Sequence, residues 1–293
     1  MNDSTQAQRS YWDGFAREYE RRREAATLLI ASTLHHQLRL DSAASVLEVG
    51  AGAGAGTVDL ANRMPSTARL VATDLSAAML ELASVKCRAY HHLRQGPRIR
   101  IIQAQAQHLP FPDGHFDRYV CNLTLMLVAD PARTVAEAAR VLEPGARAGW
   151  SVWGRRSHSP LRTLFAEAAH SANVVLQPPK TRRSLFHLGQ PRRFTHLLSQ
   201  AGFTNIVTWY MPSVEAVTDG QALAEDIMCT ELAARTLDAS AARSVQRKLA
   251  DLANERIASG LPIALDILMV TADKPANRSA HALSTTTTKV LHA

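Results

Sequence analysis

Short apolar runs recur along the first half of the chain, each of strand length and each followed by a stretch of helical periodicity. They are 45-SVLEVG-50, 69-RLVATD-74, 99-IRIIQA-104, 117-DRYVCNL-123 and 146-ARAGWSVW-153. Between them, residues 57–64, 76–93 and 131–142 repeat apolar positions every three or four residues, which predicts helices. Strands alternating with helices predict an α/β fold, a mainly parallel sheet wound on both faces. Upstream, residues 8–39 read as helix, with Tyr11, Trp12, Phe15 and Tyr19 at helical spacing before an apolar segment from Ala25 to Leu38. Beyond Trp153 the pattern loosens. Residues 158–176 look helical, 177–191 form a polar loop bounded by prolines, and 191–201 form a helix ending at Gly202. A strand at 203–210, an alanine-rich helical insertion at 213–260 and a strand at 265–272 bring the expected sheet to seven strands. The polar tail from Lys274 has the composition of a disordered segment.

The first strand runs straight into Gly50, Gly52, Gly54 and Gly56, alternating with small residues. Glycines this dense cost chain entropy, so the backbone there must be bare or unusually bent. A strand that feeds a glycine-rich turn opening a helix is where such folds bind ligands. The loop by itself leaves two cofactors open. A dinucleotide fingerprint, G-x-G-x-x-G, is met only with Ala55 at its last place when counted from Gly50, and with Thr57 when counted from Gly52. Asp74, at the end of the second run, suits either cofactor, because a carboxylate accepts hydrogen bonds from ribose hydroxyls. A Tyr-x-x-x-Lys pair on a helix, which a nicotinamide-dependent reductase would need, is missing.

The surroundings separate the two. The stretch V-L-E-V-G-A-G-A-G, with Glu48 two residues before Gly50, resembles motif I of the class I S-adenosylmethionine-dependent methyltransferases. The resemblance continues in order through 71-VATDLSAAML-80, 103-QAQAQHLPFPDGHFD-117 and 130-DPARTVAEAARVLEPGARAG-149. The opening 11-YWDGFAREYE-20 is similar to the helix that precedes the core in the small-molecule branch, which includes ubiquinone- and menaquinone-modifying enzymes. The resemblance implies a Rossmann-like fold in one domain over 1–273. That domain comprises N-terminal helices (8–40), a cofactor-binding half (41–153) and a substrate-side half (154–273) carrying the insertion. It implies S-adenosylmethionine as cofactor and S-adenosylhomocysteine as product. By the same resemblance Glu48 orients the methionine end, and Gly50, Ala51, Gly52 and Gly54 pass beneath the cofactor. Asp74 holds the ribose, Leu75 and Ala106 flank the adenine, and Gln105 meets its edge. Tyr11 and Tyr19 close over the cofactor, Asn122 and Leu123 lie where cofactor and acceptor meet, and Thr57 and Met79 complete the set. Two positions depart from the family pattern. Gln105 stands where Asp is common, and Ala146 replaces the second glycine of the P-G-G turn.

Composition narrows the function further. The chain carries 33 Lys+Arg against 26 Asp+Glu, a net charge of +7, with basic clusters at 88–100, 155–156, 180–183 and 192–193. Aromatic residues do not interleave with these clusters as in single-strand binders. The stretch 122-NLTL-125 lacks the N/D-P-P-Y/F segment of base-amino methylation, so a nucleic-acid acceptor is disfavoured and a small organic acceptor is expected. An RNA methyltransferase using the basic clusters, and a non-catalytic partner subunit of the same fold, are the alternatives. Cys87, Cys121 and Cys229 lie far apart without metal-type spacing, so no metal is expected. No apolar run is long enough to span a bilayer, and the first thirty residues carry five acids, which together suggest a cytoplasmic protein. Methyl transfer from a sulfonium needs alignment rather than a triad. His158 and His187, after the fifth strand, are candidates for a base, and the pattern selects neither.

Overall fold

The computed structural model describes residues 3–176, 184–214, 217, 219–230, 234 and 236–276. Seven strands form one sheet: β1 (Ser45–Val49), β2 (Arg69–Asp74), β3 (Arg98–Gln103), β4 (Phe116–Asn122), β5 (Leu142–Trp153), β6 (Thr204–Val214) and β7 (Ala264–Asp273). Their order across the sheet is β3-β2-β1-β4-β5-β7-β6. The first five are parallel, and β7 runs antiparallel to both β5 and β6. From β1 the chain first builds outward through β2 and β3, then returns to place β4 on the other side of β1. That reversal opens a crevice beyond the carboxyl ends of β1 and β4, the position where open α/β sheets bind ligands.

The strands read as continuous apolar runs because helices cover both faces. All five residues of β1 are buried, as are nine of the ten in β7. Along β7, Ile267 and Met269 enter one core while Leu268, Val270 and Ala272 enter the other. The first core receives α2 (Glu24–His35), α3 (Ala55–Arg63), α6 (Pro160–Ser171), α8 (Gly220–Thr230) and α9 (Ala239–Ala258). The second receives α5 (Pro131–Val141) and α7 (Pro191–Gln200), packed on Trp150, Phe194 and Phe203. Helix starts follow their caps. The Ser76 side chain accepts from the Met79 N–H at the head of α4 (Ala77–Leu93), and Asp130 accepts from the Arg133 N–H ahead of Pro131 in α5.

Three expectations are refined. The helical segment at 8–39 is two helices, α1 (Asp3–Arg22) and α2, broken at Arg23, whose guanidinium pairs with Asp226 at 2.7 Å. The break lets α2 bury Ile30 and Leu34 beneath the sheet while α1 crosses toward the glycine loop. Among its described residues the insertion at 213–260 holds the helices α8 and α9, and β6 extends to Val214. Lys274, read as the start of the tail, is fixed. Its N–H donates to Ala146 O, and its ammonium donates to Ala139 O and Leu142 O. The rest of the expected tail, from 277, lies outside the described residues, as does 177–183 of the expected loop.

The turn from β1 into α3 is set by Gly54, which has φ +96°. A Cβ there would stand 2.5 Å from the Ala83 Cα, so the glycine also lets α3 and α4 approach. Gly202 has φ +87° with nothing within 4 Å of such a Cβ. Gly54→Ala is therefore expected to cost about 2–4 kcal/mol of unfolding free energy, from backbone strain plus overpacking. Gly202→Ala should cost about 1 kcal/mol from strain alone. Urea denaturation of both variants tests this, and equal losses would show that the α3–α4 contact contributes nothing.

Candidate functional site

At the carboxyl end of β1 the chain turns sharply, and the amides of Gly50 and Ala51 both donate to Thr73 O, at 2.8 and 3.0 Å. This pins the loop to the end of β2, beside Asp74. Asp74 spreads its carboxylate across the gap between the two strands. One oxygen accepts from the Gly52 N–H and the other from the Ser76 N–H, each at 2.9 Å. Burial raises its pKa above the usual carboxylate range, while the amide bonds from Ser76, Gly52 and Leu75 pull it back. Across the loop Glu48 is 5% exposed, and its carboxylate accepts from the Thr57 hydroxyl at 2.5 Å. Burial pushes its carboxyl up to about 8 despite that hydrogen bond. Gly56, which the sequence pattern leaves without a role, makes room for this group. A Cβ at Gly56 would lie 3.0 Å from Glu48 Oε1.

Helix α1 roofs the loop. Trp12, Ala16 and Tyr19 pack with Ala53 and Met79 in a small apolar cluster. The Tyr19 ring lies against Gly52, within 3.3 Å of where a Cβ would stand, and its hydroxyl is 2.8 Å from Thr27 Oγ1. Tyr11 belongs to the same aromatic stack, 5.7 Å from Phe15 and 5.2 Å from Trp12 between ring centroids. The roof is fastened by ionic contacts that sequence reading passed over. Glu24 accepts from the Ala55 N–H at the head of α3, at 3.0 Å. Lys86 pairs with Glu20 and with Glu24 (3.1 Å) and donates to Ala53 O. Asp13 accepts from the Ser76 hydroxyl at 2.6 Å, tying α1 to the cap beside Asp74. The acids on α1 and α2 offered a faint signal in their spacing, but their partners lie 31 to 66 residues away.

The other residues named from sequence fall around the same crevice. Leu75 and Gln103 are joined by a side-chain bond to Leu75 O at 2.9 Å, and Gln105 bridges to His108 in the loop after β3, next to Ala106. Asn122 ends β4. Its amide donates to Thr27 O (3.3 Å) and accepts from the Ser151 hydroxyl (2.6 Å), so it clips α2 to β5. Leu123 follows with φ +50°, its N–H held by Ser151. Beyond the end of β5 lies an open cavity of about 870 Å³, lined by Arg155, Arg156, Glu167, His170, Phe186 and Gln190 among others. His158 and His187 neighbour these residues in sequence. His170 lines the cavity itself, and sequence reading did not single it out.

Residues 47–148 match the family described as methyltransferase domain. The demethylmenaquinone methyltransferase of Lactiplantibacillus plantarum is 35% identical over 111 residues, 38% of this chain and 46% of that protein. The malonyl-[acyl-carrier protein] O-methyltransferase of Geobacter sulfurreducens is 30% identical over 177 residues, 59% of this chain and 60% of that protein. Among solved structures, phosphoethanolamine N-methyltransferase 2 of Haemonchus contortus, in complex with phosphomonomethylethanolamine and S-adenosylhomocysteine, has a TM-score of 0.51 at 16% identity. The match covers 84% of this chain and 52% of that one, and it is a likeness of fold. The chain spans about half the length of the curated relatives it matches. Residues 47–148 are thus matched by the methyltransferase-domain family, and the fold is like that of a solved methyltransferase.

The buried Glu48 has a consequence for stability. Its folded-state pKa lies above the ordinary value, so its contribution is complete below the ordinary carboxylate range and is lost as pH rises through about 8. Glu48→Gln should flatten the fall in unfolding free energy between about pH 5 and about pH 9 in the protein without ligand. Urea titrations across that range measure it, and an unchanged slope would mean Glu48 is not held protonated by burial.

Proposed function

We propose that the chain is an S-adenosylmethionine-dependent methyltransferase acting on a small organic acceptor. The observation that carries this reading is the pair of carboxyl groups, buried Glu48 and half-buried Asp74, that flank a glycine turn at the sheet's switch point. The site's chemistry fits that cofactor. A carboxyl group held protonated by burial gains most from a ligand that brings positive charge, and the cofactor's amino and sulfonium groups are both cationic. A carboxylate already positioned by two backbone amides is set to accept from ribose hydroxyls as well. Glu48 would hold the methionine end, Asp74 the ribose, and Leu75, Gln105 and Ala106 the adenine. Gly50, Ala51, Gly52 and Gly54 would form the floor, with Thr57 steadying Glu48 from behind.

When bound, the cofactor supplies a methyl group on a positively charged sulfur, which leaves without acid assistance. The chain's part is to orient, to align and to exclude water. Trp12 and Tyr19 on α1, together with buried Met79, provide an apolar wall against solvent. Asn122 and Leu123, fixed by Ser151, shape the border between the glycine turn and the acceptor side. The cavity at the end of β5 is where the acceptor would enter, and His170 there is available to take a proton from it. The quinone and malonyl-carrier substrates in the relatives' names support an organic acceptor over a nucleic acid. The basic residues divide between two places: Arg69, Arg98 and Arg100 gather at the amino ends of β2 and β3, away from the glycine turn, whereas Arg155 and Arg156 line the acceptor-side cavity.

Two measurements test the reading. Calorimetry with S-adenosylhomocysteine should show binding that Asp74→Ala weakens by about 1–3 kcal/mol through lost charged hydrogen bonds. Unchanged affinity in a folded Asp74→Ala protein would remove Asp74 from the site. Incubation of the protein with methyl-labelled cofactor and a metabolite extract should place label in a small organic product. Cofactor binding without any labelled product from metabolites or RNA would instead indicate a non-catalytic subunit.

A further inference from the structure

The connections from β1 to β2, β2 to β3 and β4 to β5 each contain a helix, whereas the one from β3 to β4 contains none. Only the loop 104–115 crosses that corner of the sheet, where Leu109 and Phe111 cover the upper part of the face with Val71 and Ile102. The lower part stays open, as a cavity of about 150 Å³ lined by Ser45, Arg69, Leu70, Val71, Arg98, Arg100 and His115.

The sheet register places the charges. Ser45, Arg69 and Arg98 are direct partners across β1, β2 and β3, so their side chains rise from one row on one face. Arg100 lies two residues beyond Arg98, opposite Val71, and shares that face. Arg98 therefore stands about 5–7 Å from Arg69 and from Arg100 at the base of their side chains, and Arg69 and Arg100 are about 7–8 Å apart across the diagonal. All three are exposed, and among the described residues none has an ion pair or side-chain hydrogen bond. The nearby Asp117 carboxylate is engaged by the amides of Ala44 and Ser45 and lies 3.9 Å from Arg118. His115 stacks edge-on against Phe116 at the cavity rim.

Like charges directly across a sheet destabilise it, and arginine cannot relieve this by losing its proton. Charge on β3 alone would serve to protect an edge strand from unwanted pairing. That need does not call for Arg69 on the inner strand opposite Arg98. Guanidinium forks that converge on a small concave site match phosphate oxygens, which accept two parallel N–H bonds from each fork. We propose that this corner, at the end of the sheet opposite the glycine turn, is a second binding site, for a phosphate-class oxyanion of at least two charges. Its ligand is either a free polyphosphate or a lipid phosphate headgroup, and the two share the same recognition chemistry.

The test uses the full chain and two charge-matched variants. R98Q/R100Q removes the cluster, and R88Q/R192Q removes the same charge from exposed positions elsewhere. Pyrophosphate binding is read by calorimetry, and association with vesicles containing phosphatidic acid, whose phosphomonoester headgroup can carry two charges, by co-sedimentation. Circular dichroism confirms that both variants fold. Pyrophosphate affinity should fall by about tenfold or more in R98Q/R100Q and stay unchanged in R88Q/R192Q. Vesicle binding with that same dependence, in the absence of pyrophosphate binding, would assign the lipid headgroup as the source. Equal losses in both variants would reduce the effect to net charge and overturn the proposal. So would failure to bind both pyrophosphate and the vesicles, or cluster-dependent binding of a short RNA alone.

Discussion

The cost of keeping two carboxyl groups out of water organises this structure. Glu48, next to last in β1, and Asp74, last in β2, sit at the ends of adjacent parallel strands, and burial raises the pKa of both. Such groups persist only where polar partners are arranged for them. Thr57 reaches Glu48 from the first turn of α3, and the amides of Gly52 and Ser76 reach Asp74. Each of these partners needs a sharp turn at a strand end, and so the glycine turn and the Ser76 cap follow from the carboxylates' need. The absence of a side chain at Gly56 belongs to the same requirement.

The roof extends this logic. Tyr19 lies on Gly52, and burial raises its hydroxyl to about 12, so it stays a neutral partner for Thr27. Glu24 meets the exposed amide at the head of α3, where the helix dipole favours negative charge. Lys86 then gathers Glu20, Glu24 and Ala53 O at one point. Any ligand that binds above Gly52 must displace the Tyr19 ring. The polar fastening at Lys86 is half-exposed, which makes it cheaper to open than the apolar packing of α2 beneath the sheet.

The strands, the parallel winding and the glycine turn were legible because their signals are local: short apolar runs, helical periodicity between them, and four closely spaced glycines. The placement of Glu48 and Asp74 beside that turn was legible for a related reason, since one lies two residues before Gly50 and the other ends the second apolar run. The partners of the roof were not. The pairing of Glu24 with Ala55, or of Asp13 with Ser76, depends on where α1 turns at Arg23, which in turn rests on a contact with Asp226 more than 200 residues later. The basic run at 88–100 was visible as charge, but its meaning was not. Only the register of β2 against β3 shows that Arg69 joins Arg98 and Arg100 on one face.

A crystal structure grown with S-adenosylhomocysteine is the sharpest test of whether the turn between Glu48 and Asp74 is a nucleoside-cofactor site beneath α1. Ribose hydroxyls are expected on the Asp74 carboxylate, the amino-acid end beside Glu48, and Tyr19 moved off Gly52. Ligand bound elsewhere, or a glycine turn and Tyr19 unchanged at saturating ligand, would contradict it.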